Sequence, residues 1–302
     1  MIVTQHIWLD PAYRERLRAC GLDSVSRVLQ LVEGHVAAWS RSTDTLHVPD
    51  PAGRPGFYVK RYFFHDWTKR LRGTFRGTFF GRHRAQAEWR ALNALRAAGV
   101  PAARPVAWGE RRVLHFLTAC FLITEEVPQA QNLTSFALDV RAGRRSLSQT
   151  ERNKLLCALA EQLAAMHEAG CAHGNLFWRN LLVRYGPDDR PEYFFLDAQP
   201  LRAWERFTPG GTWLRELAQV CASALPFTSR SERLRFVRHY LGVRRCTPSI
   251  KSQLRYVNQL ARGWQPHEDR RIRMTQQFDD WHRQLVREQG ARLPSEVGEP
   301  LL

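Results

Sequence analysis

The chain has 302 residues, 44% of them hydrophobic, with ten Trp and sixteen Phe, a composition that suits a large folded core and excludes intrinsic disorder. Its 45 Lys and Arg against 29 Asp and Glu leave a formal charge of +16, which favours anionic partners such as nucleic acid, phosphorylated glycans or an acidic membrane surface. The six cysteines (Cys20, Cys120, Cys157, Cys171, Cys221, Cys246) form no C-x-x-C pair, which argues against a zinc site and a disulfide framework. The opening M-I-V-T-Q-H lacks signal-peptide character and no apolar run suits a bilayer span, so a cytoplasmic location, at most peripheral to the inner membrane, is expected.

Residues 34–62 read as strand, strand, turn and strand. Apolar and β-prone residues alternate from His35 to His47, and Pro51, Gly53, Pro55 and Gly56 interrupt the run before F-Y-V-K-R-Y. Alternation in that last strand puts Phe57, Val59 and Arg61 on one face and Tyr58, Lys60 and Tyr62 on the other, so Lys60 is a cation projecting from a hydrophobic strand. A basic, glycine-punctuated connection covers residues 65–82; Lys69, Arg70, Arg72, Arg76, Arg82 and Arg84 lie in or beside it, interleaved with Phe75, Phe79 and Phe80. The helix expected next carries Ala85, Trp89, Leu92 and Leu95 at helical spacing and stops at Gly99 and Pro101. On this reading Trp89 faces the core and Glu88 lies at the edge of the buried stripe. Val113–Leu117 and Ala119–Thr124 are expected to form a hairpin ahead of the T-E-E-V-P turn that contains Glu125. Residues 1–127 thus read as a small, mostly β lobe with one helix.

From 128 to 290 the pattern is helical, and 291–302 reads as a loose tail. Ser148 and Glu151 spell a capping box, and Leu155, Leu156, Leu159, Leu163 and Met166 form an apolar stripe that stops at Gly170. The segment A-H-G-N-L-F-W-R-N-L-L-V follows at 172–183, then the turn Y-G-P-D-D-R-P and a strand Y-F-F-L-D at 193–197. Beyond Leu214 helices are expected, with stripes over 217–225, 234–241 and 274–286.

In chain order these elements supply a strand lysine (Lys60), a helix glutamate (Glu88), a loop H-x-N-x-x-x-x-N (His173, Asn175, Asn180) and a strand-ending aspartate (Asp197). Each type alone is ordinary, a solvated lysine or a turn asparagine. Phosphoryl transfer needs the whole set: a cation on the phosphates, a carboxylate to hold it, two oxygen ligands for magnesium and a group that orients the acceptor hydroxyl. The segments V-K-R-Y, L-R-G-T-F-R-G, A-E-W-R-A-L-N-A-L-R-A-A-G-V-P-A-A-R-P-V-A, H-G-N-L-F-W-R-N-L-L-V and F-F-L-D-A-Q together resemble the bacterial lipopolysaccharide kinase family, which phosphorylates Kdo or heptose of the inner core, over about residues 30 to 225.

The resemblance implies an α+β, two-lobed protein-kinase-like fold, with Lys60 and Glu88 on one wall of a cleft and Asn180 and Asp197 facing them. It also implies ATP and Mg²⁺ as co-substrates and an anionic sugar-lipid or phosphorylated glycan as acceptor. Lys60, Glu88 and Glu125 are then the nucleotide-binding residues, Asn180 and Asp197 the magnesium ligands, and Asn175 with His173 the catalytic positions. Two departures stand out. Asn175 occupies the place of the catalytic base, and a carboxamide accepts a hydrogen bond without taking a proton at neutral pH. No G-x-G-x-x-G loop precedes Lys60; the corresponding hairpin reads A-W-S-R-S-T-D-T-L-H. The kinase reading therefore stands beside a pseudokinase that binds nucleotide or a partner without efficient transfer. An aminoglycoside or choline phosphotransferase is disfavoured by V-K-R-Y and A-G-V-P, and nucleic acid by the lack of a binding module around the arginines.

Overall fold

In a computed structural model of the chain, the described residues are 2–32, 35–40, 43–64, 79, 82–199 and 211–289. Most of the basic connection at 65–82 and the tail at 291–302 lie outside them. The chain forms two compact units. One comprises Met1–Asn93, Ala103–Pro128 and Gln284–Leu302, and the other Ala94–Ala102 and Gln129–Arg283.

The first unit is built on a six-stranded antiparallel sheet of β1 (Val3–Leu9), β2 (His35–Ser40), β3 (Thr43–Val48), β4 (Phe57–Phe63), β5 (Pro105–Val113) and β6 (Phe116–Glu125), in the order β1-β5-β6-β4-β3-β2. Two short helices, α1 (Arg14–Ala19) and α2 (Val25–Leu29), cover one face. Leu17, Leu22, Val25 and Val28 pack there on Phe57, Val59, Phe121 and Ile123. The strand alternation read for β4 holds, since Phe57 and Val59 enter this core. Arg61, on the same face, is buried and spends its guanidinium on Asp44 (2.7 and 2.9 Å) and on the carbonyls of Val28, Leu29 and Leu31. Those carbonyls lie at and just past the end of α2, where a cation is favoured.

Three expectations need correction. The hairpin turns at Leu114–His115, both at positive φ (50° and 67°), so Val113–Leu117 is a turn flanked by strand ends, and the first strand begins at Pro105. In α3 (Arg84–Ala97) the buried positions are Ala85, Glu88, Leu92 and Leu95. Glu88 lies inside the stripe, and Trp89 sits at its margin, edge-on to Trp8 at 4.9 Å. The edge strand β1 and the helices α1 and α2 were not legible, because a half-exposed strand and two helices of six and five residues leave little periodicity.

The second unit contains β7 (Gln131–Asn132), α4 (Leu133–Arg141), α5 (Gln149–Glu168), β8 (Leu181–Tyr185), β9 (Pro191–Phe195), α6 (Gly211–Ala224), α7 (Arg230–Tyr240) and all but the last six residues of α8 (Pro248–Gln289), with the strands ordered β7-β8-β9. Pro101 and Ala102 run beside β9, where Phe195 N–H donates to Pro101 O at 3.1 Å. The capping box of Ser148 and Glu151 starts α5, and Leu155, Leu159, Leu163 and Met166 are buried along it. A second capping box, Ser229 with Glu232, starts α7. Burial alone would raise the Glu232 carboxyl, but Arg152 on α5 and the Ser229 N–H and hydroxyl hold it down to about 2. The expected stripes at 234–241 and 274–286 are only partly inward, since Leu234 and Met274 are exposed. Helix α8 runs 42 residues and continues through Pro266. An apolar cavity of about 260 Å³ opens among Leu133, Phe136, Leu155, Leu159 and Phe227. No helix among the described residues is long and apolar enough to cross a membrane.

Candidate functional site

In the first unit, β4 and α3 bring together a lysine and a glutamate 28 positions apart. Lys60 Nζ lies 3.1 and 3.0 Å from the two Glu88 oxygens, and the Tyr62 hydroxyl, two residues along the same strand face, donates to Glu88 Oε2 at 2.8 Å. A carboxylate as buried as Glu88 is costly unless paired and hydrogen-bonded, and here it is both. The arrangement fixes one compact ammonium on a rigid strand. Glu125 is engaged otherwise: one oxygen accepts from Tyr13 Oη (2.6 Å) and the other from Arg16 (2.7 Å), which also binds Asp50. Its carboxylate thus ties the N-terminal helical segment to the end of β6. Of the residues in or beside the basic connection, Arg84 lies with its guanidinium 5.1 Å from the Tyr62 ring centroid, and Phe79 packs on Phe116 at 4.8 Å.

In the second unit the loop after α5 folds back on the segment after β9. Gln199 N–H donates to His173 O and Leu196 N–H to Asn180 O, both at 2.8 Å. Gly174 has φ +77°, and a Cβ there would stand 2.5 Å from Gln199 O, so glycine is required. Asp197 is also left-handed (φ 52°), a region that Asp tolerates. The Asn175 side chain donates from Nδ2 to Asp197 Oδ2 at 3.0 Å, and Asn180 donates from Nδ2 to Asn175 O at 2.7 Å. With its nitrogen committed, Asn180 keeps Oδ1 as an acceptor, and Asp197, tied to the same loop through Asn175, brings a carboxylate. Two such oxygens suit a hard cation such as Mg²⁺.

His173 is fully buried between these segments. Its Nε2 donates to Leu196 O (2.8 Å), and its Nδ1 accepts from Asn175 N–H (3.2 Å), so the ring is neutral. Burial lowers its pKa, against the opposing influence of Glu216 and Asp197.

Three residues that the sequence reading passed over carry the loop. Glu216, Gln219 and Ser223 lie on one face of α6 and accept the backbone N–H groups of Gly174, Leu176 and Trp178; the last two bonds measure 2.7 and 3.1 Å. All three are buried. Glu216 is in turn bonded by His167 Nε2 (2.8 Å), whose Nδ1 meets the Tyr240 hydroxyl (2.7 Å). The available signal was three polar residues at i, i+3 and i+7 within the otherwise apolar E-L-A-Q-V-C-A-S-A.

The model of the lipopolysaccharide kinase (Kdo/WaaP) family matches residues 45–240. The lipopolysaccharide core heptose(I) kinase WaaP of Pseudomonas aeruginosa is 31% identical over 159 residues, 52% of this chain and 59% of that relative; the chain therefore spans little more than half the length of the curated relative it matches. A solved structure of WaaP in complex with acyl carrier protein superposes with a TM-score of 0.55 at 23% identity, covering 88% of this chain and 99% of that one, and shows a kinase-like fold.

The neutral His173 makes a pH prediction. In the unfolded chain this ring titrates near 6.5, whereas in the folded state its pKa is lower, so the unfolded state takes up the extra proton. Its contribution to stability is complete above about pH 6.5 and falls away below it, by up to about 1.4 kcal/mol per pH unit. Urea unfolding at pH 7.5 and 5.5 should show a smaller loss on acidification for His173→Gln than for the wild type; equal losses would contradict a buried neutral ring.

Proposed function

Because the chain belongs to the lipopolysaccharide kinase (Kdo/WaaP) family, we propose that it transfers the γ-phosphoryl group of ATP to a hydroxyl of a lipopolysaccharide-core sugar. The observation that carries this reading is the pairing of the half-buried Lys60 with the buried Glu88, since a carboxylate sequestered to hold one lysine serves a site that needs a positioned cation. Lys60 would hold ATP phosphates, and Asn180 with Asp197 would hold magnesium. Bound there, the metal supplies charge neutralisation on the phosphoryl group in transfer. A bond forms from the acceptor oxygen to the γ-phosphorus, the bond to the β,γ-bridging oxygen breaks, and ADP leaves. His173 acts as a positioning residue that keeps the loop closed on Leu196. Glu125 is engaged through its carboxylate, by Tyr13 and Arg16, and through its N–H, which donates to Arg104 O.

Asn175 orients the acceptor. Its Oδ1, which accepts no hydrogen bond among the described residues, is matched to a hydroxyl donor. The hydroxyl proton then goes to a transferred phosphoryl oxygen or to water, since the carboxamide does not take it. Phosphoryl transfer depends mainly on positioning and charge stabilisation, so the absence of a base lowers the rate without abolishing it. The same Asn175 favours a second reading, a pseudokinase that binds nucleotide with little transfer.

The apolar cavity in the second unit supports a further partner. A WaaP structure contains acyl carrier protein, and we propose that this chain also binds a carrier of that kind when the carrier is acylated, with the acyl chain in the cavity. Acylated carrier should bind and the carrier without an acyl chain should not, and Ala137→Phe, which fills the cavity, should abolish the difference. Equal binding of both carrier forms in calorimetry would rule this partner out.

ATP with Mg²⁺ should raise the melting temperature, because a ligand bound only by the folded state stabilises it by mass action. Lys60→Ala should lose most of that shift, and Asp197→Asn should lose its magnesium dependence. No shift at millimolar ATP in the wild type would sink both readings.

Asn175→Asp introduces a carboxylate where the hydroxyl is expected, and general-base catalysis is typically worth ~10²–10⁴ in rate, so phosphate transfer to a core-sugar acceptor should rise by one or more orders of magnitude. The substitution also replaces the Asn175–Asp197 hydrogen bond by two carboxylates in contact, which repel. The variant should therefore melt lower than the wild type without Mg²⁺ and gain more from Mg²⁺. An unchanged rate from an active wild type would mean that orientation by Asn175 suffices; no transfer by either form, with ATP still bound, would favour the pseudokinase.

A further inference from the structure

We infer that Glu268 on α8 is a positioning residue for the metal-binding end of the catalytic loop, through a clamp that lies beyond the residues matching the family. Helix α8 begins at Pro248, whereas that match ends at 240. From α8, Glu268 reaches the two loop residues just before Asn180. One oxygen accepts from the Ser223 hydroxyl (2.8 Å), which itself accepts the Trp178 N–H (3.1 Å), and the other accepts from the Arg179 guanidinium. Glu268 and Ser223 are each 1% exposed.

One turn earlier on the same helix, Trp264 packs edge-on against Phe177 at 5.9 Å, and the Arg179 guanidinium lies 4.1 Å from that ring centroid. Residues 177, 178 and 179 are thus each held, directly or through Ser223, by a pair of α8 residues spaced i, i+4. This spacing puts both on one helix face. A carboxylate buried this deeply is retained at a cost in desolvation, which a purely apolar contact would avoid. What it adds is direction: one oxygen fixes the hydroxyl that accepts the Trp178 N–H, the other fixes the Arg179 side chain, and the next residue is Asn180. The clamp sets the orientation in which Asn180 presents Oδ1.

This inference rests on the proposed magnesium role of Asn180, and the experiment separates the two. Apparent Mg²⁺ affinity is read from the magnesium dependence of the ATP-induced thermal shift, which needs no phosphate transfer. Groups that orient metal ligands typically change metal affinity 10–100-fold when mutated, so Glu268→Gln should weaken it about tenfold. The paired variant Glu268→Met with Arg179→Met removes both charges and guards against misfolding from an unpaired arginine; it should show the same weakening at a near-normal melting temperature. Wild-type Mg²⁺ affinity in either folded variant would overturn the clamp, as would a loss of melting temperature alone.

If neither variant folds, amide hydrogen exchange of the wild-type protein decides: the Trp178 and Asn180 amides should open together with residues 264–268, and independent opening would overturn the proposal. If the wild type shows no ATP and Mg²⁺ shift, the magnesium reading fails, and the same exchange measurement still decides whether α8 holds the loop.

Discussion

The helical unit depends on satisfying the backbone N–H groups of a loop buried in its interior. A buried donor without a partner costs about 1–3 kcal/mol, and residues 174, 176 and 178 present three on alternate positions. Helix α6 answers with Glu216, Gln219 and Ser223 on one face. Each answer creates a further requirement. Glu216 needs His167, and His167 is held by Tyr240 on α7. Ser223 is held by Glu268 on α8. The polar network therefore links α5, α6, α7 and α8 to one stretch of main chain, and full satisfaction in a low-dielectric interior makes it rigid. Asn175, Asn180 and Asp197 stand at fixed separations because of it.

The sheet unit solves a different problem with two adjacent cations. Arg61 and Lys60 point to opposite faces of β4. Arg61 uses the planar fork of its guanidinium on a carboxylate and three carbonyls at the end of α2. Lys60 presents a compact ammonium to both oxygens of Glu88. The same formal charge serves structure on one face and the candidate site on the other, and the choice of Arg or Lys follows the geometry of each partner.

Asn175 is where the two functional readings meet. With Nδ2 on Asp197 and the backbone carbonyl held by Asn180, its carboxamide presents one end to the aspartate proposed to hold the metal and leaves Oδ1 as an acceptor. An aspartate there would set two carboxylates against each other until a cation arrived. The asparagine keeps the cluster assembled without one and gives up the proton acceptor in exchange.

The sequence by itself determined the order of elements that matter most. The alternation in F-Y-V-K-R-Y fixed which face Lys60 takes, the capping box at Ser148 fixed where α5 starts, and the H-x-N-x-x-x-x-N spacing identified the loop, because local periodicity and local hydrogen bonding decide each of these. It misjudged Glu88 and Trp89, since helical spacing locates a stripe within one residue either way and only the lysine opposite made the polar neighbour the buried one. Glu216, Gln219 and Ser223 stood out only as polar residues at i, i+3 and i+7 of an apolar helix, and nothing in the pattern told their roles or that of Glu268. Their partners lie between 42 and 89 positions away, and a buried polar residue is recognisable only when the backbone amide or the guanidinium that it serves has been brought to it by the fold.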